Sequence, residues 1–335
     1  RIVYVRKNVF NTEGEKMIKY LIVMLIPFVI VYLLMPKFIE FATKKGFVDK
    51  PTGRKKHDKL TPLIGGVVMY IGFFATYLFG IDSTRQLSQT FIIFIASTLV
   101  IIIGVIDDYY KGKGKEFPIY PRVIIQILAA TMVFKAGIVF RGITNPFTGE
   151  FTQFSGWIQY ILTITWIFGV TTVINWSDGM DGLAGSISII SAMTMFVVAL
   201  AKGQFNSAYM SITLVGSILA FLRYNRHPAR VFMGDSGANF LGFILAIIAL
   251  EGAFKQATAL SILVPVLALG VPIFDNIFVI FRRFQSGKPV YEADRSQIHY
   301  RLQERGMSVK QIVSYICILN GCLSLVSLLI IMIIL

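Results

Sequence analysis

Asp107 and Asp108 stand side by side at the end of an apolar run from Phe91 to Ile106. Asp178 and Asp181 fall in Asn175-Trp-Ser-Asp-Gly-Met-Asp-Gly after another such run, and Asp235 closes Val-Phe-Met-Gly-Asp before a third. A carboxylate beside hydrocarbon is costly and marks a functional position by default. Carboxylate and carbonyl oxygens are the hard donors that Mg²⁺ prefers, so these acids gathered on one membrane face would form one acidic, metal-binding site.

Spacing says how each group could act. Adjacent acids do not share a helical face, so Asp107 and Asp108 are expected to point one toward a metal and the other toward a second partner. A helix C-terminus disfavours acids electrostatically, so a merely solvated helix end explains the pair poorly. Asn175, Asp178 and Asp181 are three apart, and a helical turn would stack them on one side. Glycines 179, 182 and 185 would let the backbone approach a ligand. The bland alternatives are a glycine-rich cap there and an N-cap at Asp235-Ser236. The alternating ligands of an EF-hand are absent. The basic segments Arg54-Lys-Lys-His57 and Lys111-Gly-Lys-Gly-Lys115 suit either phosphate contact or membrane orientation.

The elements that must position these groups are membrane helices. Of 335 residues, 55% are hydrophobic and 13% aromatic, too apolar for a soluble domain of this size. Apolar runs near 17–36, 62–80, 90–106, 122–140, 157–174, 183–201, 208–222, 237–252, 258–281 and 311–335 predict an all-α, polytopic protein of about ten transmembrane helices. Of the 32 Lys and Arg residues, 22 fall in the loops after odd-numbered runs, which makes those loops cytoplasmic and both termini external. All five acids then share the cytoplasmic side with Asp49 and His299. The net charge of +14 is explained by loop lysines and arginines, and nucleic acid is not expected as a partner. Cys317 and Cys322 lie on different faces of one helix, so no disulfide is expected between them. Residues 1–16 are expected to be an extension outside the fold, with 17–335 a single catalytic domain that opens at Met17.

Taken in order with Asp49-Lys-Pro-Thr-Gly-Arg-Lys-Lys-His57, Lys59-Leu-Thr-Pro-Leu-Ile-Gly-Gly66 and Ala293-Asp-Arg-Ser-Gln-Ile-His-Tyr-Arg-Leu302, these segments resemble the polyprenyl-phosphate N-acetylhexosamine-1-phosphate transferases. The likeness runs from about Gly46 to Val313 and is nearer the WecA/TagO branch than the MraY branch. One departure stands out: the branch pattern His-x-His-His-Arg is here Gln297-Ile-His299-Tyr300-Arg301, with one histidine kept.

The resemblance implies transfer of a sugar 1-phosphate, most simply GlcNAc 1-phosphate, from a UDP-N-acetylhexosamine to undecaprenyl phosphate, with UMP released. It implies a bacterial cytoplasmic-membrane enzyme working on the cytoplasmic side with Mg²⁺, or Mn²⁺ in its place. Asn175 and Asp235 match metal-binding positions. Asp107 and Asp108 match the catalytic acid pair, with Asp178 and His299 as further catalytic candidates. Gly179, Met180, Asp181, Asn225 and Phe232 match uridine-holding positions, and Asp49, Lys59, Lys115 and Arg301 are further substrate contacts. Partners are the two substrates and membrane lipid, with a homodimer left open. A direct displacement is favoured over one through an aspartyl-phosphate. The alternatives are an acceptor of UDP-MurNAc-pentapeptide and, in another class, an ion-coupled transporter. A transporter would place its acids near the bilayer midplane on broken helices.

Overall fold

The computed structural model describes residues 2–49, 60–79, 84–145, 148–252, 259–289 and 295–334. In chain order these form α1 (Ile2–Lys44), β1 (Val48–Asp49), β2 (Thr61–Pro62), α2 (Gly65–Tyr77), α3 (Thr84–Gly112), α4 (Ile119–Lys135), β3 (Gly142–Thr144), β4 (Phe151–Gln153), α5 (Gly156–Ser177), α6 (Leu183–Ala201), α7 (Phe205–Asn225), α8 (Gly234–Gly252), α9 (Ala259–Ala268), α10 (Gly270–Gln285), α11 (Ile298–Glu304) and α12 (Val309–Ile334). The two strand pairs are short antiparallel ladders that close loops. The protein is an all-α, multi-pass membrane protein.

Each of the ten expected apolar runs contains a helix. Among the described residues, seven helices are long and apolar enough to cross a bilayer, and an eighth candidate is the bent pair α9–α10. Helix α2, at 13 residues, spans only about 20 Å. It starts later than its hydropathy suggests, because Thr61 and Pro62 pair with Asp49 and Val48.

The single helix expected over 258–281 is corrected: α9 and α10 meet at 80°. Pro272 has no N–H to continue the ladder, and Gly270 lies against Leu323, where a side chain would collide. Asn320, fully buried on α12, accepts the Val271 N–H at 3.3 Å and donates to the Ala268 carbonyl at 3.2 Å. The Ser191 hydroxyl donates to that same carbonyl at 2.5 Å. These side chains satisfy the backbone groups that the break releases, which hydrocarbon could not do.

Helix α8 is the hub. Its apolar window is 89% buried, against 17% for α1 and 28% for α12, so α8 is central and those two are peripheral. A buried membrane helix packs closely through small residues, since lipid offers no hydrophobic drive between helices. Gly237 meets Gly66 of α2, Ser236 meets Gly104 of α3, and Gly242 meets the Thr171 backbone of α5. A Cβ at residue 66 would overlap the Gly237 backbone, which cannot yield as a side chain can. Gly66→Ala should therefore cost about 1–3 kcal/mol and lower the unfolding temperature in detergent. Gly156→Ala, with no atom within 4 Å of the added methyl, is the control. Equal stability of the two variants would refute the close α2–α8 approach.

Candidate active site

The N-terminus of α8 brings Asp235 to the ends of α3 and α5. Asp107, 1% exposed, accepts a hydrogen bond from Arg122 Nη1 at 2.9 Å, and the same Nη1 lies 3.5 Å from Asp235 Oδ2. Lys111, one turn beyond Asp107, pairs with Asp235 and stands 3.6 Å from Asp107 Oδ2. Asn175 Nδ2 is 3.4 Å from Asp235 Oδ1. Two carboxylates thus share two cations, and the near-neutral sum is what permits acids at this depth. Among the described residues no three His, Cys, Asp or Glu side chains form a complete metal cage. Asp107, Asp235 and the Asn175 amide nevertheless fit Mg²⁺, which is commonly held by one or two carboxylates plus substrate phosphates.

Asp108 has a different surrounding from its neighbour. Buried to 1%, its carboxylate accepts the Asp235 N–H at 2.7 Å and the Ser236 N–H at 3.1 Å. These are the orphan donors of the first turn of α8, so a side chain from α3 supplies the cap. The bland alternative of an N-cap by Asp235-Ser236 is thus not what caps α8; Asp108 does so. Gly234 adopts φ +70°, and a Cβ there would strike the Asp108 carboxylate. Neither Asp107 nor Asp108 is a solvated helix end.

The stacking of Asn175, Asp178 and Asp181 on one helical side is also corrected. Helix α5 stops at Ser177, Asp178 leaves the helical region (φ −82°, ψ 49°), and Gly182 turns left-handed at φ +77°. Asn175 faces Asp235, whereas Asp181 turns to the loop before α8. Asp181 Oδ2 meets His227 Nδ1 at 2.8 Å and accepts the Ala229 N–H at 3.1 Å, tying down the loop before α8. Asn225 braces it too, accepting the Gly182 N–H at 2.9 Å and donating to the Val231 carbonyl at 2.8 Å. Half-buried Phe232 is stitched to β2 and α2: its N–H donates to Pro62 O and its carbonyl accepts from Gly65 N.

Gly179 is exposed, and His299 explains the glycine: a Cβ at residue 179 would overlap the imidazole. Met180 packs with Leu183, Ile187 and Val271 beside it. His299 is 2% exposed, and burial pushes its imidazole down to about 4, so it is neutral at pH 7. Its Nε2 has no hydrogen-bond partner among the described residues. Arg301 donates to Asp275 Oδ1 at 2.8 Å and lies over the Phe278 ring at 4.4 Å. Asp49 is buried in β1, whose Val48 carbonyl borders Gly112 at the end of α3. Lys115 is exposed in the loop that follows, and Lys59 lies outside the described residues.

Sequence reasoning missed Arg122 and treated Lys111 only as part of a basic segment. Both stand close to the acid pair in sequence, Lys111 at i+4 from Asp107, and an acid at a membrane boundary calls for such a counter-charge.

A multi-pass bundle with shared carboxylates, an amide and two cations at one end defines a membrane protein with one polar, charged site. Residues 90–253 match the family model for glycosyl transferase family 4. The chain is 36% identical over 312 residues to the probable undecaprenyl-phosphate N-acetylglucosaminyl 1-phosphate transferase of Bacillus subtilis, covering 93% of this chain and 85% of that one. It is 27% identical over 289 residues to the undecaprenyl-phosphate alpha-N-acetylglucosaminyl 1-phosphate transferase of Escherichia coli K12, covering 84% and 77% of the two chains. The phospho-N-acetylmuramoyl-pentapeptide-transferase of Bacillus licheniformis is 30% identical over 302 residues, covering 86% and 90%. The chain belongs to glycosyl transferase family 4.

Proposed function

We propose that the protein transfers N-acetylglucosamine 1-phosphate from UDP-N-acetylglucosamine to undecaprenyl phosphate, the first committed step of a cell-envelope polysaccharide. The observation that carries this reading is the meeting of Asp107, Asp235 and Asn175 with Lys111 and Arg122 at one end of the bundle. An oxygen of the acceptor phosphate attacks the sugar-bearing phosphorus. The bond from that phosphorus to the bridging oxygen breaks, and UMP leaves with the electron pair. A phosphate monoester has its second pKa near about 6, so the acceptor is largely dianionic at neutral pH and needs little general-base help.

Positioning and charge neutralisation are the remaining tasks. Mg²⁺ held by Asp235, with Asn175 and Asp107 beside it, would supply neutralisation of the pyrophosphate. Lys111 and Arg122 lie within reach of the same anions and offer permanent positive charge. Asp181, Asn225 and Phe232 form the braced wall against which the uridine rests. His299, neutral and with Nε2 aimed at the Gly179 edge, contacts a phosphate oxygen instead of moving the acceptor proton. We further assign ten membrane crossings with this end at the cytoplasmic face of the bacterial inner membrane, because 22 of 32 Lys and Arg residues fall on that side.

The test is purified protein in detergent with undecaprenyl phosphate and a panel of UDP-sugars that includes UDP-N-acetylmuramoyl-pentapeptide. UDP-N-acetylglucosamine should be the preferred donor, UMP the product, and excess chelator should abolish turnover until Mg²⁺ or Mn²⁺ is restored. UDP as product, or full turnover in chelator, would overturn the reading.

A further inference from the structure

Asp275 lies in the middle of the apolar segment before the last cytoplasmic loop, and its side chain is 8% exposed. A buried carboxylate in a membrane segment is retained for a purpose. Its two oxygens accept the Ile298 N–H at 2.9 and 3.0 Å, and Oδ1 also accepts Arg301 Nη2 at 2.8 Å. The bonds bracket His299, fixing the residue before it and the residue two after it. The carrier of Asp275 is itself anchored to α5. Asn276 donates to the Val173 carbonyl at 3.4 Å, and Arg283 lies over the Trp176 ring at 4.8 Å. Those contacts sit at the end of α5 that bears Asn175 and leads into Gly179.

We infer that Asp275 is a positioning residue: through the Ile298 N–H and Arg301 it holds the His299 imidazole against Gly179. Helix α10 is then the bracket that sets the distance between the Asn175–Gly182 segment and His299. Arg301 is engaged inside this clamp, with its flat guanidinium over the Phe278 ring. His299 Nε2 lacks a partner among the described residues and lies against Gly179. The catalytic part of the inference rests on the proposed transfer reaction, whereas the clamp itself does not.

Two readouts test it. The first is turnover of purified Asp275→Ala and Asp275→Asn, alone and combined with His299→Ala. Misplacing a contacting group by about 1 Å costs on the order of a hundredfold. Asp275→Ala should therefore lower kcat by about that factor with little change in UDP-sugar KM. Asp275→Asn keeps one acceptor and should lose less, and Asp275→Ala should cost nothing further in a His299→Ala background. The second readout needs no substrate. The protein has three histidines, His57, His227 and His299, so acylation by diethyl pyrocarbonate is assignable by peptide mass. His299 should react slowly in the wild type and several-fold faster in Asp275→Ala, with His227 unchanged as an internal control of folding. Unaltered His299 labelling in a folded Asp275→Ala protein would overturn the clamp, as would losses that simply add in the double variant. An inactive wild type would count against the proposed reaction alone, because the labelling still judges the clamp.

Discussion

Asp235→Asn lowers turnover on the order of a thousandfold, the scale of removing one charge-stabilising group from a preorganised site, while leaving thermal stability in detergent close to wild type. The amide preserves shape, and the Asp235 and Ser236 N–H groups keep their bonds to Asp108, so α8 still starts where it should. What changes is the charge shared with Asp107 between Lys111 and Arg122. With one carboxylate gone, the two cations outnumber the acids, and a divalent ion is repelled where it was attracted. The Mg²⁺ concentration for half-maximal activity should therefore rise along with the fall in kcat. Retention of more than about a tenth of wild-type turnover would remove Asp235 from the metal site.

Much of the fold was legible because membrane helices announce themselves by length. Each apolar run yielded a helix, and the acids that bounded those runs converge at one end. Three features resisted reading for physical reasons. Pro265 and Pro272 are tolerated in membrane helices, so neither marked the 80° break. The better signal was Asn320, a buried amide in an otherwise apolar run that serves the Ala268 and Val271 backbone. Regular spacing suggested that Asn175, Asp178 and Asp181 shared a face, but the helix ends at Ser177 and Gly182 turns left-handed to start the next one. Asp275, a carboxylate inside an apolar run, was passed over in the sequence, and its partner Arg301 is 26 residues away. Such pairing belongs to tertiary structure. The family resemblance supplied the roles of Asn175 and His299, which their residue types alone could not have done.

The acid pair itself yields the other large effect, because its members do different things. Asp108 gives both oxygens to backbone N–H groups of Asp235 and Ser236, at 2.7 and 3.1 Å, in a place water does not reach. Asp108→Ala strands both donors at the start of the most buried helix, at about 1–3 kcal/mol for each N–H left unsatisfied. It also opens a void beside Gly234, whose left-handed backbone is shaped around that carboxylate. The first turn of α8 should loosen, carrying Asp235 away from Asn175 and Arg122. Turnover and unfolding temperature should therefore fall together, unlike Asp235→Asn, where turnover falls alone. Asp108→Asn keeps one acceptor but turns an NH₂ toward the second donor, and should lie between wild type and Asp108→Ala in both measurements. Thermal unfolding followed by size-exclusion chromatography, run beside the UMP-release assay, separates the cases. Lost turnover at wild-type stability in Asp108→Ala would make Asp108 a group that touches the reacting phosphates, and the capping role assigned from its two N–H donors would be wrong.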